Sequence, residues 1–368
     1  MTSRGLRVWR LPLLATGLLT LGCGTWLGLV RLGWNLPLPW PDRLVTHGPL
    51  MICGFLGTLI GLERAVGLGA RWGYAAPVLI ASGTILIDFG AAGAAGPLLI
   101  TMGSLAVLAI FVVVWRRQPS LFAFTMALGA LAWIAGNVLW LGGAAIFRVV
   151  FWWLAFLVLT IAGERLELNR VLRPSLAVRS TFALAIALIL IGVAVATRRP
   201  DAGVRVLGAG LFALAWWLAR HDVARRTVHQ RDVTRFMAIC LLAGYLWLGV
   251  GGLIAAATGT ATPGLVYDAM LHAVFLGFVM SMVFAHAPVV FPAILGVPLP
   301  YRPAFYVHLG VLHASLVLRV VGDLVDSLGR WRVWGGLLNA VALLLFLFNT
   351  ARSIAIARRR DSSGWATP

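Results

Sequence analysis

The stretch His272–Pro292, HAVFLGFVMSMVFAHAPVVFP, decides the fold. Nearly every residue in it can face hydrocarbon, which suits a membrane-spanning helix of about 20 residues. Yet His272 and His286 stand near its two ends. Fourteen residues apart, they are separated by roughly 21 Å along a helix and lie within roughly 40° of the same face. Imidazoles are costly in a membrane and belong toward the bundle interior.

The rest of the chain extends this reading. It is 61% hydrophobic and 11% charged over 368 residues, against about 25% charged in soluble domains. This predicts an all-α integral membrane protein with the lipid bilayer as its first partner. Twelve spans are expected, with cores at 11–31, 46–66, 74–92, 96–115, 121–142, 147–165, 178–197, 203–219, 234–258, 266–290, 303–322 and 332–354. The boundary at GAAGAAGP, between spans three and four, is the weakest. Pro288 and Pro292 are expected to end span ten, which shows no break at mid-depth. Residues 1–30 resemble a signal peptide, but their apolar run to Val30 is long enough to span and is read as the first helix.

The net charge of +18, all of it arginine, falls in short loops between the apolar runs. That is the positive-inside pattern. It places both termini in the cytoplasm of a bacterial inner membrane and argues against a nucleic-acid partner. Trp34 and Trp40 suit the outer interfacial belt. Cys23, Cys53 and Cys240 form no zinc or disulfide pattern.

Three even-numbered spans align without gaps: GFLGTLIGLERA (54–65), AFLVLTIAGERL (155–166) and GFVMSMVFAHAP (277–288). Phe is second in each, and the tenth position holds Glu63, Glu164 and His286. The pattern predicts a pseudo-threefold bundle of four-helix units, 1–118, 119–225 and 226–360, with a disordered tail at 361–368.

The ionisable residues sort by depth. His47 opens span two and His272 opens span ten at a matched outer depth, so the pair can clamp one haem iron. The alternative is two interfacial histidines bonded to backbone or water. Asp268, one turn before His272, is either an orienting carboxylate or helix-start chemistry. Arg319 lies at the depth of haem propionates, and a helical salt bridge to Asp323 is its plainer role. At the inner end, His286 with His308 or His313 can hold a second metal, copper; proton relay or core packing are the other readings. Glu63–Arg64 and Glu164–Arg165 are expected as ion pairs between helices, or as a proton entry. Asp88 and Asn137 are interior polar groups.

The blocks LHAVFLGFVMSMVFAHAPVVFPAILG and YVHLGVLHASLVLRVVGD resemble the NnrS family of twelve-span membrane proteins. That resemblance implies haem b, copper and a role in nitric-oxide stress. The His47/His272 pair is also similar to the low-spin haem ligands of haem–copper oxidase subunit I, on equivalent second and tenth spans. The departures are plain: residues 48 to 220 hold no histidine. The oxidase copper triad therefore has no counterpart, and gas reduction at a haem–copper pair is not expected. Electron transfer or sensing fits better. The alternatives are a cofactor-free proton-coupled transporter, and an oxidase-like assembly subunit without metals. No catalytic residue and no oligomeric state is readable.

Overall fold

The computed structural model describes residues 7–38, 41–90 and 93–362, and among these residues the secondary structure is helical, with no strand. Eleven helices are long and apolar enough to cross a membrane. We label them with one shorter helix in chain order: α1 (Val8–Arg31), α2 (Arg43–Leu68), α3 (Ala75–Asp88), α4 (Ala95–Arg117), α5 (Leu121–Leu141), α6 (Ile146–Leu172), α7 (Leu176–Ala196), α8 (Pro200–His221), α9 (Asp232–Thr258), α10 (Leu265–Leu295), α11 (Phe305–Leu324) and α12 (Gly329–Arg359).

The shorter one is the third expected span. Its α-helical part is 14 residues, about 21 Å, and Gly90 at φ 74° turns the chain away after it. Part of the GAAGAAGP boundary, residues 91–92, lies outside the described residues, as do Trp40, residues 1–6 of the leader-like segment and residues 363–368 of the expected tail. Asp361 and Ser362 still belong to the last helix.

Consecutive helices pack side by side through α3–α4–α5–α6, through α7–α8–α9, and in the pair α11–α12. The helices that carry the aligned repeat, α2, α6 and α10, meet one another in the middle. In the apolar stretch of α6, 78% of residues are buried, and in α10 67%, against 33% in α1 and α7. Outer helices therefore give most of their surface to lipid, while α6 and α10 give theirs to protein.

Two features of α2 and α10 escape periodicity. Both widen into π-helix, over Leu50–Leu56 and Ala273–Met280. π turns inside α-helices recur at functional sites. The offset that aligns Gly54 with Gly277 is 277 − 54 = 223, which carries Leu50–Leu56 onto 273–279, nearly the whole π segment of α10. Span ten thus has the mid-depth irregularity that its sequence does not announce.

The prolines do not stop α10 either. Pro288 and Pro292 lie within its last section, Ser281–Leu295. Termination falls to Gly296, whose left-handed φ of 76° suits a residue without Cβ. The buried Arg10 of α1 compensates the helix end, donating from Nη1 to the carbonyls of Ala293 at 3.0 Å and Ile294 at 3.1 Å.

Candidate functional site

The end of the bundle expected to face outward contains a cavity of about 840 Å³, called outer on that expectation, bounded by α1, α2, the α5–α6 turn, α10, α11 and α12. Ligand pockets run to about 300–1,000 Å³, so it is large enough for a macrocycle. His47 and His272 face each other in it, with ring centres 6.4 Å apart and ring planes 22° from parallel.

The protonation of each ring follows from its neighbours. Nδ1 of His47 lies 2.7 Å from the Gly24 carbonyl, and Nδ1 of His272 lies 2.8 Å from the Asp268 carbonyl. A carbonyl only accepts, so both Nδ1 atoms carry hydrogen and donate. In the neutral form of each ring the lone pair is then on Nε2. An Nδ1–H bonded to a carbonyl is how metal-binding histidines are oriented.

A shared metal fits this arrangement. Two metal–nitrogen bonds of about 2.0 Å, with each nitrogen roughly 1.1 Å from its ring centre, put the ring centres about 6 Å apart. The observed 6.4 Å agrees. Glycine makes room on α1: a Cβ at Gly28 would come within 3.0 Å of His47 Cε1.

The polar rim is one-sided. Arg319 of α11 donates to Asp268 Oδ2 at 2.7 Å, and Asp268 Oδ1 is 3.3 Å from His272 Nδ1. Asp268 thus ties α11 to the histidine, and the expected Arg319–Asp323 bridge does not form. Asp323 is turned toward Arg332, 3.8 Å away. Helix geometry permitted the i,i+4 pair, but the cross-helix carboxylate meets Arg319 at hydrogen-bonding distance. Arg31 and Arg332 also line the cavity; both were missed, because nothing in their loop-edge positions marks them. The Gly24 and Gly28 spacing on α1 was a readable sign of close helix approach.

Toward the end expected to face the cytoplasm, and called inner on that expectation, a smaller chamber of about 60 Å³ lies between α2, α6 and α10. Its walls include Leu56, Leu157 and Val279; Leu59, Thr160 and Met282; Ile60, Ile161 and Val283; and Glu63, Glu164 and His286. Each of these sets is one position of the aligned repeat, offset by 101 and then 122 residues. Arg64 bonds Glu63 of its own helix at 3.2 Å and reaches across to Glu164 of α6. Arg165 turns the other way, to a buried two-pronged bond with Asp222 at 2.8 and 2.7 Å. Asp222, in the turn after α8, gave no sequence signal as its partner.

His286 donates through Nδ1 to the Met282 carbonyl at 2.7 Å. The α11 histidines have the opposite tautomer. Trp247 Nε1 donates to His313 Nδ1 at 3.0 Å. The Asn349 amide, oriented by its bond to the Ala304 carbonyl, donates to His308 Nδ1 at 3.2 Å. Their lone pairs are engaged, and Phe236, Phe284, Phe305 and Phe346 surround His308. Among the described residues no three His, Cys, Asp or Glu side chains gather as metal ligands.

The remaining polar positions have structural partners. Asn137 accepts from Trp153 Nε1 at 2.9 Å and donates to Ser104 at 3.2 Å. The thiol of Cys53, buried beside it, accepts from Trp133 Nε1 at 3.3 Å. Asp88 lies by Thr20 and Arg43.

No curated protein matches the chain significantly. A family profile covers residues 10–355, almost the whole bundle including both cavities, and the chain therefore belongs to the family described as domain of unknown function DUF8744.

Proposed function

We propose that the outer cavity holds a b-type haem, that His47 and His272 are the residues that would hold it, and that the protein serves electron transfer or haem-based sensing in a nitric-oxide stress response. The facing imidazoles carry the reading: 6.4 Å between ring centres, with both Nδ1 atoms donating to carbonyls. The bound haem supplies a one-electron couple.

This chain's residues do the rest. The Gly24 carbonyl and Asp268 hold the two rings through Nδ1, which leaves Nε2 of each for the occupant. Arg319, Arg31 and Arg332 offer cations to carboxylates of the occupant. Were both His47 and His272 to hold the group, its chemistry would favour electron transfer or sensing over gas reduction. The resemblance to the NnrS family supports the nitric-oxide context. Copper has no comparable support, since His308 and His313 spend their lone pairs on Asn349 and Trp247.

In the same reading the bundle is pseudo-threefold, built from three four-helix units in a bacterial inner membrane with both termini cytoplasmic. The repeat-equivalent residues around the inner chamber support the symmetry, and the arginine-rich loops support the orientation. Absorption spectra of the purified protein, oxidised and dithionite-reduced, test the site. Sharp α and β bands that disappear in His47→Ala and His272→Ala are expected. A featureless spectrum after expression with added haem, and no haem on extraction, refutes it.

A second reading, a proton-coupled transporter, has one specific observation in its favour. The π segments of α2 and α10 irregularise both helices at mid-span, where transporters place their binding sites. A transporter would bind its substrate in the outer cavity without haem, and the spectra separate the two.

A further inference from the structure

The inner chamber is independent of the haem reading and stands on its own geometry. Its space of about 60 Å³ exceeds the roughly 10–15 Å³ that one water needs, and its polar walls give such a water the partners it requires. Thr160, Glu63, Glu164 and His286 all face it. Thr160 donates to the Phe156 carbonyl at 2.8 Å, so its oxygen presents lone pairs.

The charges do not balance there. Two carboxylates share one guanidinium, Arg64, which also lies 5.9 Å from the Phe111 ring centre on α4. The other cation, Arg165, is held by Asp222. The charged groups acting on Glu164 are Arg64, Glu63, Arg165 and Glu167; those acting on His286 are Arg165, Glu63 and Arg64. One carboxylate is left without a cation of its own. Opposite it, His286 has committed Nδ1 to Met282 and keeps a lone pair on Nε2.

We infer that this chamber is a hydrated proton-exchange site, in which Glu63 and Glu164 share one labile proton beside Arg64 and Nε2 of His286 accepts it. In the transfer a carboxyl O–H bond breaks and an N–H bond forms on His286, through chamber water. The carboxylate left behind is held by Arg64. The imidazolium of His286 then gives its proton up to solvent while the carboxylate takes one back from solvent, and no electron moves. The chamber also adjoins the outer cavity: Leu56 lines both, and the cavity walls on α10 meet at Val279 and Met280. A proton gained or lost in the chamber is therefore one side chain from the outer cavity.

Infrared difference spectroscopy of the full chain in lipid, titrated from acid to alkaline pH, tests this without reference to haem. A protonated carboxyl band is expected that moves on transfer to heavy water within minutes, disappears in Glu164→Gln and persists in Glu164→Asp. His286→Gln should keep the band while shifting its titration midpoint. Should Glu164→Gln fail to fold, Glu63→Gln serves, with the same loss expected. Overturning results are no carboxyl band, a band unchanged in both glutamine variants, or one that resists exchange into heavy water for hours. The chamber would then be a dry ion-pair latch. Failure of the haem spectra leaves this experiment intact, and its failure leaves the haem spectra intact.

Discussion

Arg319 reaches across from α11 to the carboxylate of Asp268 on α10 at 2.7 Å, in preference to Asp323 one turn along its own helix. Asp268 in turn holds His272 through its backbone carbonyl at 2.8 Å and its carboxylate at 3.3 Å. His272, the proposed ligand, is thereby fixed to a second helix. Outer partners of this kind contribute about 10–100-fold to metal affinity. Asp268→Asn should lower haem retention by that factor, and Asp323→Asn by much less. Haem content per chain after detergent washing checks both.

The fit around His47 makes a steric prediction. A Cβ at Gly28 meets the imidazole at 3.0 Å, while one at Gly22 meets nothing within 4 Å. Gly28→Ala should therefore shift or broaden the low-spin bands, and Gly22→Ala should leave them unchanged. Equal spectra in both variants would contradict the placement of His47 against α1.

Arg165 and Asp222 form a pair whose side chains are 3% and 0% exposed. Removing one partner strands a buried charge, which costs about 3–5 kcal/mol. Asp222→Asn and Arg165→Leu should each lower thermal stability in detergent strongly. Arg165→Lys should rescue poorly, because an ammonium cannot supply the two parallel N–H bonds. Fluorescence-detected melting is the measurement.

The tautomers of the α11 histidines predict the outcome of metal analysis. If Nδ1 of His308 and His313 accepts from Asn349 and Trp247, neither is a copper ligand. Copper per chain should be equal in wild type, His308→Gln and His313→Gln after copper loading. A stoichiometric loss in either variant would reinstate the α11 histidines as ligands. His313→Leu should cost about 1 kcal/mol through the unpaired indole N–H of Trp247.

Much of the helical layout was legible because apolar run length is a direct record of bilayer thickness. The third span was overestimated because Phe89 and Gly90 are apolar by composition yet turn the chain. Depth was legible too: residues such as His47 and His272 carry their position in the span with them. Lateral partners were not. Arg319 had Asp323 within reach on its own next turn, and only packing brings Asp268 of α10, 51 residues away, to it instead. The π segments were hidden for a related reason, since widening a helix by one residue leaves its apolar composition unchanged. Asp222 was invisible because a short loop can place a carboxylate against any neighbouring helix.

The bond from Arg10 to the end of α10 joins residues 283 and 284 positions apart. The walls of the outer cavity likewise come from α1 and α2 at one end of the chain and α10 to α12 at the other. Translation releases about 5–20 residues each second, so the first two helices wait in the bilayer while seven others are made. During that interval His47 has no opposite imidazole, and α1 and α2 expose a face that will only later be covered. The cavity has all its walls only after α10 to α12 have followed, so an occupant that needs both sets of walls is taken up after those helices are made.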